Sequence, residues 1–258
     1  MRDVEIDGHS LTLEDAVAVS HAHPTTGPWG RAVLSDQSRA AMSASRAAIE
    51  NIIQSDDVVY GINTGFGAMS SVRIAGNDLE DLQTNLIRSH ACGIGDLMHP
   101  EHVLLMMVFR ANSLAKGVSG IRPEIVEMLI EMINSGIAPV VPRIGSLGAS
   151  GDLAPLSHMS LALLGEGECM VRNPDISESG SGWHRMTSLE ALTHAGLNPV
   201  KLQAKEGLSL INGTSQMCAY LGITLLNMER LVFGADASAA CSVEAIRGSH
   251  APFDPRIH

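Results

Sequence analysis

The sequence predicts a mainly α-helical protein with little strand. Three observations predict it. Apolar residues recur at helical spacing along most of the chain, as with Ile49, Ile52 and Ile53 at i, i+3 and i+4. Serine, aspartate, asparagine or proline opens these stretches and glycine closes them. Runs of β-branched residues are few and short.

Taken in order, Ser35 caps an alanine-rich helix through SDQSRAAMSASRAAIENIIQS. DDVVYGINTGFGAMSSV then reads as a short extended segment followed by a glycine-rich loop at Gly61, Gly65 and Gly67. Asn77 caps a helix through LEDLQTNLIRSHA, which Gly93 and Gly95 stop, and Pro100 opens another through EHVLLMMVFRANSLAKG. PEIVEMLIEMINSG forms a further helix ending at Gly136, a C′ glycine. PVVPRIG is too proline-rich for a helix. Asp152 caps the next helix, with Pro155 in the first turn where a missing N–H is harmless. Residues 171–186 read as a polar surface excursion. From Asn212 to about Arg247 the chain is helical and apolar on more than one face, with a bend expected at Gly222 or Gly234. A helix of that kind needs neighbours on every side. Two regions follow, residues 1–211 and residues 212–258.

The chain has 258 residues, 45% of them hydrophobic, enough for a sizeable core. Its formal charge of −11 and lack of a basic run make nucleic acid an unsuitable partner. No apolar run approaches the ~20 residues of a membrane span, and MRDVEIDGHS is not a signal peptide, so no membrane role and a cytosolic location are expected. Cys92, Cys169, Cys218 and Cys241 show no CxxC pairing and read as reduced, buried small residues. The eleven histidines include no HExxH, so no metal site is expected; His21 and His23 form the nearest pair.

The stretch GSLGASGDLAPLSHMS carries the chemistry. If the Gly151 nitrogen attacked the Ala149 carbonyl carbon, a five-membered ring would close. Loss of two waters, one taking the Ser150 hydroxyl, would leave an exocyclic methylene, an electrophile made from the chain itself. Glycine supplies an unshielded nitrogen and the required backbone freedom. The following helix turns its partly positive N-terminus toward the loop. From these residues alone a packing glycine turn remains open. A phosphate loop does not, because no GK[ST] and no GxGxxG is present, and the GxSxG of serine hydrolases is missing. His158 reads as a packing or capping residue.

GSLGASGDLAPLSHMSLALLGEGE resembles the signature of the histidine and aromatic amino acid ammonia-lyases. VVYGINTGFG, LQTNLIRSHACGIG and KEGLSLINGT agree with that family in order and spacing, and the likeness runs from LTLEDAVAV to SVEAIRGSHAPFDPRIH. The resemblance implies an ammonia-lyase/fumarase-like helical fold, with a small irregular α+β N-terminal part carrying the active-site loop. It implies that Ala149, Ser150 and Gly151 cyclise to 4-methylidene-imidazol-5-one, so that no external cofactor is needed. Tyr60 matches the base that removes the substrate β-proton; a free phenol is mostly protonated at neutral pH, so its neighbours or alkaline conditions must favour that role. His90 matches the residue that contacts the substrate imidazole, and Ser89-His90 points to L-histidine, giving trans-urocanate and ammonia. Asn212 matches an asparagine near the electrophile and the substrate amino or carboxylate end, and it also reads as a helix cap. Asp152 either assists cyclisation or caps its helix, or does both.

Relative to this family the chain stops at Arg256-Ile257-His258, about halfway along, without the later residues that hold the substrate carboxylate. The resemblance therefore implies a fragment or one half of a split enzyme, acting in a tetramer-like homo-oligomer or with a chain carrying the other half. Two alternatives stand: a phenylalanine or tyrosine ammonia-lyase or aminomutase on the same scaffold, and a catalytically silent helical assembly module.

Overall fold

In a computed structural model the structure describes residues 2–23, 27–28, 30–55, 57–75, 78–148, 151–172 and 182–258. Asn77, expected as a helix cap, and Ala149 and Ser150 of the tripeptide lie outside the described residues. The chain divides into two compact units, Met1–Ala219 and Tyr220–His258.

The first unit is built around α4 (Pro100–Ala115), which has Pro100 in its first turn and His99 at its N-cap. Every residue from Val103 to Val108 is buried, so this helix requires neighbours all round. They are α1 (Leu13–Ser20), α2 (Asp36–Gln54) and α5 (Pro123–Asn134). The predicted boundaries of α2 and α5 hold for the predicted reasons: Ser35 Oγ accepts from the Ser38 amide at 3.0 Å, and Gly136 adopts φ +66° just beyond α5. Alpha-helix α1 escapes the spacing argument because it is short, yet it carries a start signal, Thr12 accepting from the Asp15 amide at 3.1 Å. Strand β1 (Arg2–Ile6) pairs in parallel with a strand over Gly30–Leu34, placing Val4 opposite Ala32 and Ile6 opposite Leu34, all four buried.

Three expectations are corrected. Residues 57–60 form no strand but lead into a turn, and an isolated bridge between Thr64 and Arg73 closes the loop beyond. The excursion at 171–186 is flanked by strands over Glu168–Arg172 and Trp183–Thr187, paired antiparallel with Cys169 opposite Met186. The buried Cys169 and the Arg172 guanidinium, 5.0 Å from the Trp183 ring centroid, give this hairpin a packed side; residues 173–181 lie outside the described residues. Of the four free cysteines only Cys169 is buried, and burial raises its thiol to about 11; Cys92, Cys218 and Cys241 are exposed.

Helices α3 (Leu79–His90), α6 (Leu153–Leu163), α7 (Ser188–His194), α8 (Glu206–Ile211) and α9 (Ser215–Ala245) complete the fold. At 31 residues α9 spans roughly 46 Å. It runs unbroken through Gly222 and Gly234, since a lone glycine weakens a helix by only about 1 kcal/mol. Ser215, Gln216 and Ala219 are buried in the first unit, whereas Leu221, Leu225, Met228, Leu231, Val232 and Phe233 in the second are exposed. Among the described residues no helix is long and apolar enough to cross a membrane.

Candidate active site

Helices α3, α6 and α8 pack pairwise against one another. Their ends carry the motifs that the sequence singles out: His90 closes α3, Gly151 and Asp152 open α6, and Asn212 follows α8. The turn holding Tyr60 rests on α8, since a Cβ on Gly61 would lie 2.6 Å from Leu208 Cδ2 and 3.3 Å from Lys205 Nζ. A six-residue helix, roughly 9 Å long, thus has the Tyr60 turn against its first turn and the tripeptide's Gly151 against Gly213 just past its end.

Gly151 has φ +115°, a region that only glycine enters freely. A Cβ there would stand 2.7 Å from the Gly213 carbonyl oxygen and 2.9 Å from its nitrogen. The Asp152 amide donates to that same oxygen at 2.6 Å. This bare, tightly held glycine is the cradle a backbone-derived ring at 149–151 requires: no side chain hinders its nitrogen, and the neighbouring backbone has no room for one.

Asp152 occupies the N-cap position of α6, but its side chain does not bond that helix. This corrects the expected cap. The fully buried carboxylate accepts instead from Ser146 Oγ at 2.6 Å and from the Gln216 and Met217 amides at 2.7 and 3.1 Å. It therefore caps α9, satisfying two of the otherwise orphaned amides there, and ties the tripeptide to the start of the long helix. Asn212 is the C-cap residue of α8, its amide donating to the Leu208 carbonyl at 3.0 Å, and its side chain is exposed.

Tyr60 is 56% exposed. Its turn is fixed on both sides: Asn63 Oδ1 accepts from the Val59 amide at 2.9 Å, and Thr64 Oγ1 from the Gly61 amide at 3.1 Å. The ring meets Phe66 edge-on, centroids 6.4 Å apart. Below the turn, Lys205 holds φ +75°, rare outside glycine, and burial lowers its ammonium below the ordinary lysine range.

His90 Nδ1 lies 2.9 Å from the Leu86 carbonyl oxygen, which also accepts from Ser89 Oγ at 3.0 Å. Ser89 Oγ also lies 3.0 Å from Nδ1; a carbonyl only accepts, so in the tautomer that bonds Leu86 the proton is on Nδ1 and Nε2 of the neutral ring is an acceptor. His158 is a packing residue, as expected: its Nε2 accepts from the Gly93 amide at 3.0 Å, and burial lowers its pKa.

Sequence reasoning missed the anchor of α8. Glu206 is fully buried; Arg122 donates to it through Nε at 2.7 Å and Nη2 at 2.8 Å, and the Gln203 amide adds a bond at 2.7 Å. Arg46 stands near and donates to the Ala204 carbonyl at 2.9 Å. Gly207 packs against the Gln83 backbone of α3 with no room for a Cβ. Glu206 and Gly207 sit inside KEGLSLINGT, and an acidic residue beside a glycine in a stretch that matched a family was the available signal.

Residues 11–258 match the family model for aromatic amino acid lyases. Histidine ammonia-lyase from Geobacillus thermodenitrificans is 47% identical over 255 residues, covering 99% of this chain and 47% of that protein. The crystal structure of histidine ammonia-lyase from Trypanosoma cruzi superposes with a TM-score of 0.87 at 36% identity, covering 100% of this chain and 47% of that one. Tyrosine aminomutase from Streptomyces globisporus gives 0.85 at 35% identity, covering 97% and 44%. The chain spans about half the length of the curated relatives it matches. With a match over nearly all of its residues, the chain belongs to the aromatic amino acid lyase family.

Proposed function

We propose that this chain carries the electrophile-bearing half of a histidine ammonia-lyase, converting L-histidine to trans-urocanate and ammonia. The observation that carries the reading is Gly151, held at φ +115° against Gly213 with no space for a side chain. In ring closure the Gly151 nitrogen bonds the Ala149 carbonyl carbon, whose oxygen leaves as water with the amide hydrogens of Ser150 and Gly151. A second water takes the Ser150 hydroxyl and α-hydrogen. The resulting 4-methylidene-imidazol-5-one supplies an electron sink for the substrate amine, making ammonia a leaving group.

The chain's own residues do the rest. Tyr60, exposed on a turn pinned by Asn63 and Thr64, removes the β-proton. His90, with its Nδ1 proton engaged by the Leu86 carbonyl, offers Nε2 to an imidazole N–H, which orients histidine and rejects side chains lacking a donor. Asn212 supplies polar contacts at the amino and carboxylate end. Asp152 fixes the tripeptide to α9 through Gln216 and Met217 and stands ready to take a proton during closure.

The active species contains the counterpart of the relatives' remaining length, in the same or a second polypeptide, within a homo-oligomer. The exposed apolar residues of the second unit support this. Co-expression with the second half of a histidine ammonia-lyase relative tests it. Co-purification and urocanate formation from L-histidine, abolished by Tyr60→Phe, are expected. No association, or no urocanate from an associated pair, would contradict it. The likeness to tyrosine aminomutase supports a second reading, another aromatic substrate on this scaffold; that reading requires His90→Leu to retain most of the activity, whereas ours requires a large loss on histidine.

A further inference from the structure

We infer that Arg110 is the positioning residue that holds Gly213 onto Gly151, and that it thereby sets whether residues 149–151 close into the electrophile. The inference rests on the reading that they do close. Arg110 projects from α4, whose neighbouring residues Val108 and Ala111 are fully buried, and is itself only 4% exposed. A guanidinium in such a place needs a strong reason, since burying a charge is unfavourable by several kcal/mol before pairing is counted, on the order of the stability of many domains.

Its contacts supply that reason. Arg110 Nη2 donates to the Ser209 carbonyl of α8. Nη1 lies so close to Gly213 that a Cβ there would overlap it. Gly213 in turn accepts the Asp152 amide and leaves no room for a Cβ on Gly151. Arg110, Gly213 and Gly151 thus form a continuous contact from the core to the closing tripeptide: a Cβ on Gly213 would meet the Arg110 guanidinium, and one on Gly151 would meet the Gly213 backbone. Arg110 Nε has no hydrogen-bond partner among the described residues, so hydrogen bonding alone does not account for the buried position. The Asp152 carboxylate attracts the guanidinium within the same interior and partly offsets its desolvation, which brings Arg110 down to about 10. The charge and the wedge act on the same segment.

The test compares the wild-type chain with Arg110→Met, Arg110→Lys and, as a destabilised control away from Gly213, Leu104→Ala. Two readouts are taken on folded protein: intact mass, where closure removes about 36 Da, and hydrogen exchange of the Asp152 amide, which reports its bond to Gly213. Arg110→Met is expected to close at least about tenfold more slowly and to lose Asp152 protection while α5 amides keep theirs. Arg110→Lys should recover part of both, and Leu104→Ala should close like wild type. Wild-type closure together with wild-type Asp152 protection in Arg110→Met overturns the inference, and if that variant is insoluble the same outcome in Arg110→Lys does so. A wild-type chain that never loses water sinks the closure reading instead, and Asp152 protection then still decides whether Arg110 holds the contact.

Discussion

Two apolar helices in this chain meet opposite fates. In α4 every residue from Val103 to Val108 is buried, whereas in the second unit Leu221, Leu225, Met228, Leu231, Val232 and Phe233 of α9 face outward. The α9 segment reads as apolar on more than one face, and α4 is buried without a break from Val103 to Val108. What differs is company: α4 has α1, α2 and α5 packed around it within the chain, and the second unit shows its apolar residues to solvent. An all-round apolar helix is thus evidence about neighbours, which need not belong to the same 258 residues.

The largest effect that would sharpen this contrast is expected at the α8 anchor. Glu206→Gln leaves Arg122 in a half-buried site without its carboxylate, and breaking such a pair should lower stability by about 3–5 kcal/mol in urea denaturation. Leu104→Ala, at a fully buried position of α4, should follow at about 2–5 kcal/mol. Leu221→Ala, at 69% exposure in the second unit, should change the midpoint by less than about 0.5 kcal/mol. Equal effects at positions 104 and 221 would break the comparison. Between these, Gly151→Ala should reduce stability by roughly 1–3 kcal/mol and block closure, because alanine neither adopts φ +115° readily nor fits beside Gly213.

Acid should act on the first unit. His158 and His102 both have lowered pKa values, principally through burial, with His99 and His21 adding to the effect at His102. The folded state therefore prefers them neutral. Their contribution is complete above about pH 6.5 and is lost as pH falls through their depressed values, where the unfolded chain binds more protons. Protonation of His158 also removes the acceptor of the Gly93 amide, in the loop after His90. The thermal midpoint should drop on acidification below about pH 6.5, and His158→Gln should flatten part of that slope. The smallest effect on folding is expected from Val232→Asp with Phe233→Asp, which should suppress self-association in size-exclusion chromatography without moving the urea midpoint of the first unit.

Much of the helical frame was legible because its signals are local. Ser35 capping α2, Pro100 opening α4 and Gly136 ending α5 each concern one turn of chain. The misses are contacts between distant segments. Nothing near Asp152 in sequence says that its carboxylate serves α9, sixty-four residues away at Gln216, rather than the helix it precedes. The pairing of Cys169 with Met186 across a polar excursion, and the αL backbone of Lys205 beside the Tyr60 turn, depend in the same way on which segments meet. At the candidate site the motifs named Tyr60, His90, Gly151, Asp152 and Asn212, while the supporting contacts of Gly213 and Glu206, which lie inside a matched motif, and of Arg110, which does not, emerge from packing.

The most direct test is the mass of the wild-type chain, followed by peptide mapping of the segment holding Ala149, Ser150 and Gly151. A peptide lighter by two waters, about 36 Da, and reactive toward borohydride is the predicted result. An unmodified peptide in protein assembled with the second half of a histidine ammonia-lyase relative would contradict the claim that this backbone makes its own electrophile.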